Sequence, residues 1–138
     1  MIKDIGQEIH ATPAFYPRFV SGEAEEFGVV IDRKGFEGCV LQVQVGAASG
    51  SPTRIGAGLV VYTCATSTGA FAAISGGTGS ISGEPASVNN TDTEINLSLL
   101  AAERYIKLGI TPQFIDGSTP AFPISAVCIL GEARAVPV

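Results

Sequence analysis

In CVLQVQV, residues 39–45, Cys39, Leu41, Val43 and Val45 alternate with Val40, Gln42 and Gln44. A period of two sends one set of side chains to a dry face and the other to a wetter one, which is the signature of a half-buried β-strand. The same period returns in INLSLL, where Ile95, Leu97 and Leu99 alternate with Asn96 and Ser98. It returns again in RYIKLGIT, where Arg104, Ile106, Leu108 and Ile110 oppose Tyr105, Lys107, Gly109 and Thr111. Leu100, Ala102 and Glu103 are good helix formers, but the apolar spacings of three and four that a helix needs are missing. That stretch therefore reads as a turn around 101–103 followed by a strand. LVVYTCAT and FPISAVCILG add two strands that are apolar on both faces.

Between these runs lie a strand near 28–32, a turn at Lys34-Gly35 and a loop over 48–58. A Gly/Ser/Asn-rich stretch follows over 71–94, with short β-like pieces at 71–74 and 80–82. Short strands separated by Gly, Pro and Ser turns predict an all-β, single-domain, jelly-roll-like β-sandwich. Residues 28–138 are assigned to the sandwich. Residues 1–27 are assigned to an extended N-terminal arm, because Pro13 and Pro17 bracket Phe15 and Tyr16 with Phe19 just beyond, and proline stops a helix there. Such an aromatic cluster packs on its own domain or on a neighbouring subunit. Ile2, Ile5, Phe15, Tyr16 and Phe19 are the candidate inter-subunit contacts.

Composition narrows the function. Charged residues are 15% of the 138 and hydrophobic residues 46%, against roughly 25% charged in ordinary soluble domains. A surface so poor in charge is covered either by Ser, Thr, Gly and Asn or by neighbouring subunits. The net charge of −5 comes without any basic run longer than Arg33-Lys34, which argues against nucleic acid. No apolar run reaches the roughly 20 residues of a membrane helix. The opening residues 1–10, broken by Lys3, Asp4 and Glu8, do not read as a signal peptide. Cys39, Cys64 and Cys128 are odd in number, widely spaced and set in apolar runs, which predicts buried free thiols.

No catalytic set emerges. His10 is the single histidine, with no nucleophile placed beside it by sequence. The glycine-rich GGTGSISG and RIGAG lack both a phosphate-loop spacing and a following helix. NNTDTE, residues 89–94, reads as a turn rather than a calcium loop. Glu84, Asp92, Glu94 and Glu103 could form a carboxylate pair only if the fold joined them. No enzyme activity, cofactor or metal is expected.

Four stretches in order, MIKDIGQEI, GFEGCVLQVQVGA, ERYIKLGIT and LGEARAVPV, resemble small structural proteins of tailed bacteriophages and prophages. The chain departs from that family at TCATSTGAFAAI, where the family carries an acidic stretch. The resemblance implies a non-enzymatic capsid decoration or cement protein that binds the assembled head across capsomer joints. It implies two partners, the major capsid protein and the chain itself as a dimer or trimer. It implies synthesis in the bacterial host cytoplasm and residence on the capsid surface of the virion, without nucleic acid or membrane. Alternatives are a minor head, neck or tail protein, or a surface β-sandwich that binds carbohydrate or a receptor.

Overall fold

The computed structural model describes residues 9–133. Nine strands form two antiparallel sheets: β1 (His10–Ser21), β2 (Glu26–Phe27), β3 (Ile31–Asp32), β4 (Phe36–Val45), β5 (Arg54–Cys64), β6 (Ala72–Gly83), β7 (Thr91–Ser98), β8 (Tyr105–Ile115) and β9 (Ala121–Ala133). One short helix, α1 (Pro85–Val88), precedes β7. The first sheet runs β1-β9-β4-β7 and the second β2-β8-β5-β6, with β3 also on β8.

β2 and β3 pair with the same edge of β8, at Ile110 and Gly109 and then at Ile106 and Tyr105, so they are one interrupted strand. Eight strands then remain. The first pairs with the last, the second with the seventh, the third with the sixth and the fourth with the fifth. This is a long antiparallel hairpin wrapped on itself. The β4–β9 and β5–β8 pairings close the wrap. The result is a jelly roll, and the all-β sandwich expected from sequence is the fold the chain adopts.

Alternation decides the core. Cys39, Leu41, Val43 and Val45 of β4 are buried against Ile95 and Leu97 of β7, Ile106, Leu108 and Ile110 of β8, and Phe122, Ile124, Ala126, Cys128 and Leu130 of β9. All three thiols are free and buried. Cys39, one strand over on β4, and then burial itself push the Cys128 thiol far above its usual range.

Two segments are more regular than the sequence indicates. The 71–94 stretch contains β6, a 12-residue strand with a bulge opposite Val61, because pairing along β5 overrides the weak strand preference of Gly, Ser and Ala. β5 likewise begins at Arg54, inside the expected loop. Residues 10–21 of the expected arm form β1 and pair with β9 of the same chain. Prolines are tolerated there because β1 is an edge strand with register shifts around Phe15.

Gly28, between β2 and β3 on the second sheet, brings the chain within hydrogen-bonding reach of β1 on the first. Its N–H donates to Leu108 O at 2.8 Å, and Val29 N–H donates to Ala14 O at 2.9 Å. A Cβ on Gly28 would sit 1.9 Å from Ala14 O, so no other residue fits this approach without moving backbone.

Candidate functional site

The outer face of the first sheet is the larger candidate. Cross-strand pairing puts Ala11 beside Ile129, Pro13 beside Val127 and Phe19 beside Pro123. Val40 of β4 continues the patch next to Ile129. Phe19 is 63% exposed and Val127 43%. Both therefore present apolar surface to solvent on the strands least relieved by polar side chains. Toward β7 the face turns polar through Gln42, Gln44, Asp92, Glu94 and Asn96, and Gln42 donates a hydrogen bond from Nε2 to Asp92. Two hollows lie on this face. One, of about 610 Å³, has Pro17, Val45 and Pro123 on its apolar side and Gln44 and Asp92 on its polar side. The other, of about 480 Å³, is lined mainly by Ile9, Val40, Leu97 and Ile129.

The candidate contact residues divide. Phe15 is 1% exposed and opposite Ala126, inside the core of its own chain. The Arg18 guanidinium caps its ring at 4.3 Å and reaches Glu26 of the other sheet at 3.2 Å. Phe15 is therefore occupied within its own domain. Tyr16, 61% exposed, and Phe19 point outward. Ile2 and Ile5 lie outside the described residues.

A second cluster covers the outer face of the other sheet. Lys107 Nζ lies 4.2 Å from the Phe27 ring centre and 4.4 Å from that of Phe71, so the ammonium sits between two π-faces. Phe27 meets Tyr62 edge-on at 5.6 Å. The Tyr62 hydroxyl donates to Glu25 Oε2 at 2.7 Å, and this bond to a carboxylate raises the Tyr62 pKa. Gly109 makes room beneath: a Cβ there would lie 2.7 Å from Glu25 Oε2 and 2.8 Å from Tyr62 Cε2. The sequence places Lys107 and Tyr105 on the face away from the core. It does not reveal that Phe27 and Phe71, far away in the chain, close over the lysine.

Charge concentrates at the end of the sandwich where β3 meets β4. Arg33 is buried, and its guanidinium donates to the carbonyls of Glu103 at 2.9 Å, Phe36 at 3.2 Å and Ala102. Arg104 donates from Nε and Nη2 to the two carboxylate oxygens of Asp32 at 3.1 and 2.8 Å. Those hydrogen bonds hold the Asp32 carboxyl below the usual carboxylate range. Arg33, Lys34, Gly35 and Arg104 frame a hollow of about 210 Å³.

Asp92 and Glu94 share the exposed face of β7, but the other chemistry-bearing residues lie apart. The His10 ring stacks on Phe36 at 6.4 Å. Glu84 precedes α1, whereas Glu103 lies in the β7–β8 turn at the opposite end of the sandwich. Residues 91–94 of NNTDTE belong to β7, and the turn is confined to Asn89 and Asn90. Among the described residues no group of three or more His, Cys, Asp or Glu side chains is placed to hold a metal ion, and no helix is long and apolar enough to cross a membrane.

Eight strands in a jelly roll with one apolar outer face define the class of protein at the level of fold. Similar solved structures include a chain of turnip yellow mosaic virus, 11% identical over 94% of this chain and 84% of that chain, with a TM-score of 0.37. Another is a chain of Desmodium yellow mottle tymovirus, 10% identical over 98% of this chain and 94% of that chain, with a TM-score of 0.36. No family model matches the sequence, and no curated protein matches it.

Proposed function

We propose that the chain is a non-enzymatic virion structural protein, a capsid decoration or cement protein that sits across joints between capsomers. The observation that carries this reading is the apolar outer face of the β1-β9-β4-β7 sheet, with Phe19 and Val127 exposed on a chain that is only 15% charged. Jelly rolls serve as viral capsid, lectin and cupin domains, so the fold admits the role without choosing it. The exposed apolar surface is what supports it. Covering such a face contributes roughly 25 cal/mol per Å² of apolar area before the costs of association. A shell supplies many equivalent copies of the covering surface.

The carbohydrate reading needs free aromatic faces. The chain has no Trp and three Tyr, and Phe27 and Phe71 each give a face to Lys107, which leaves Tyr16 and Phe19 on β1 as its most exposed Tyr and Phe rings and favours the shell over the sugar.

Immunogold electron microscopy of particles purified from the producing culture tests the reading. Regular label over the head, together with a 14.1 kDa chain in the particles, is expected. Label at the neck or tail moves the protein there. Particles without label or chain refute a virion role.

A further inference from the structure

The two sheets expose four strand edges, and a natural edge is normally blunted by proline, charge, a bulge or extreme shortness. Three of the four follow that rule, and the fourth, β6, does so only through a bulge in its first half. β1 carries Pro13, Pro17 and two register shifts. β2 and β3 are two residues each. β7 exposes Asp92 and Glu94. β6, AAISGGTGSISG, has neither proline nor charge along 12 residues. No strand among the described residues pairs with its outer edge.

A bulge opposite Val61 takes up residues 74–77, because Val60 pairs with Thr78 while Tyr62 pairs with Ala73. Beyond Gly83 the chain turns into α1. The flat, regular part of the edge is therefore residues 78–83. Its outward side chains, Thr78, Ser80 and Ser82, are exposed, small and neutral.

We propose that residues 78–83 form a self-pairing edge, through which two copies of this chain join antiparallel about a two-fold axis at Ser80. The register that this axis imposes is complementary at every pair. Ser80 meets Ser80 of the other copy, and Thr78 meets Ser82, pairs whose hydroxyls hydrogen-bond across strands. On the inner face Ile81 meets Gly79 of the other copy. Gly79 lies close under Ile95, with a Cβ on it 3.2 Å from Ile95 Cγ1. The incoming Ile81 therefore extends the apolar core and encounters no charge. An acidic or basic partner strand would find no countercharge along this edge, whereas a second copy finds its own small, neutral residues. The isologous geometry closes at two copies and joins two β2-β8-β5-β6 sheets into one. It stands apart from the virion reading, because it concerns the isolated chain.

Sedimentation velocity of the full chain over a concentration series tests it. The expected wild-type limit is twice the 14.1 kDa chain mass. Ser80→Lys sets two lysines against each other at the axis and weakens association by about tenfold or more, as like charges juxtaposed at an interface do. Asn96→Lys, on the exposed face of β7, leaves the dimer intact. Far-UV circular dichroism confirms that each variant is folded, and Ser82→Lys replaces Ser80→Lys if the latter is not. Amide hydrogen exchange at 78–83 slows on dimerisation in the wild type and in Asn96→Lys, and not in Ser80→Lys. A monomeric or trimeric wild type, a lysine variant as dimeric as the wild type, or an equal loss in Asn96→Lys overturns the proposal.

Discussion

Phe15 and Phe19 are four residues apart on one strand, and replacing each by alanine separates folding from association. Phe15 is 1% exposed, and truncating such a side chain removes about 3–5 kcal/mol through lost transfer energy and the cavity left behind. The Arg18 guanidinium at 4.3 Å also loses its ring, worth about 0.5–1 kcal/mol. Phe15→Ala should therefore cost about 4 kcal/mol, against a total stability of about 5–15 kcal/mol for a domain. Phe19 is 63% exposed. It keeps only about a third of its area from water, so Phe19→Ala should cost about 1 kcal/mol. The assay is urea unfolding followed by far-UV circular dichroism and, since the chain has no Trp and three Tyr, by tyrosine emission. With a slope of about 2 kcal/mol per M, the midpoint should fall by about 2 M for Phe15→Ala and by about 0.5 M for Phe19→Ala. Binding to shells should show the opposite order of specificity: Phe19→Ala stays folded and loses binding. Equal midpoint shifts, or a Phe15→Ala shift under about 0.5 M, would refute the assignment of Phe15 to the core and Phe19 to the surface. Deleting the segment through Phe19 is the less informative experiment, because it removes most of β1 and two core side chains, Ala14 and Phe15.

Gly28→Ala should lower stability by about 3 kcal/mol, since its Cβ meets the Ala14 carbonyl at 1.9 Å and the two backbone hydrogen bonds at 28 and 29 are displaced; thermal melts read it, and an unchanged midpoint contradicts the close approach of Gly28 to β1. Lys107→Met keeps the apolar stem but removes the ammonium between Phe27 and Phe71, and should cost about 1 kcal/mol in urea unfolding. Asp32 has its pKa lowered by Arg104, so its stabilising contribution is complete above the unfolded value of about 3.9. It disappears as pH falls through the lower folded value. Stability from this pair should therefore be flat between pH 7 and 5 and decline only in stronger acid. Asp32→Asn should remove that acid-dependent part, and a decline already present at pH 6 would assign the effect elsewhere.

The strands that carry the core were legible because their burial is one-sided. The alternation in residues 39–45 maps onto buried and less buried positions, and so does that in 105–110 except at Gly109, which is covered by Glu25 and Tyr62; Arg104, at the strand's mouth, is exposed. β6 was legible only as the short pieces at 71–74 and 80–82, since pairing with β5 on either side of its bulge, rather than its own composition, makes it one strand. β1 was legible as extended backbone but not as part of the sheet, because proline signals an irregular segment equally well as an edge. Of the proposed contacts, Phe15 could not be told from Phe19 by sequence. Register shifts around Phe15 break the alternation on which such a distinction depends. The Lys107 cluster was half visible. Alternation put Lys107 outside the core, but only the jelly-roll wrap brings Phe27 and Phe71 over it. Arg33 gave no signal at all, because the carbonyls that hold it come from backbone at 36, 102 and 103, and backbone acceptors leave no trace in side-chain identity.

The scarcity of charge acquires a location once the fold is known. Asp92 and Glu94 protect the β7 edge, Arg18 and Glu26 tie the two sheets together, and Arg33, Lys34, Asp32 and Arg104 gather at one end. Among the described side chains, the outward residues of β9 and the free edge of β6 receive none of it. A chain that only needed solubility would place charge where apolar groups and open edges are most exposed. This chain does the reverse on one face and one edge. The face is broad and apolar, which suits contact with a larger surface of varied shape. The edge is narrow, neutral and self-complementary in register, which suits a second copy. The two surfaces lie on different sheets, so occupation of one leaves the other accessible. A dimer built on β6 would thus present two apolar faces, and two such faces on one particle allow simultaneous contact with two neighbouring surfaces, with the avidity that such linkage brings.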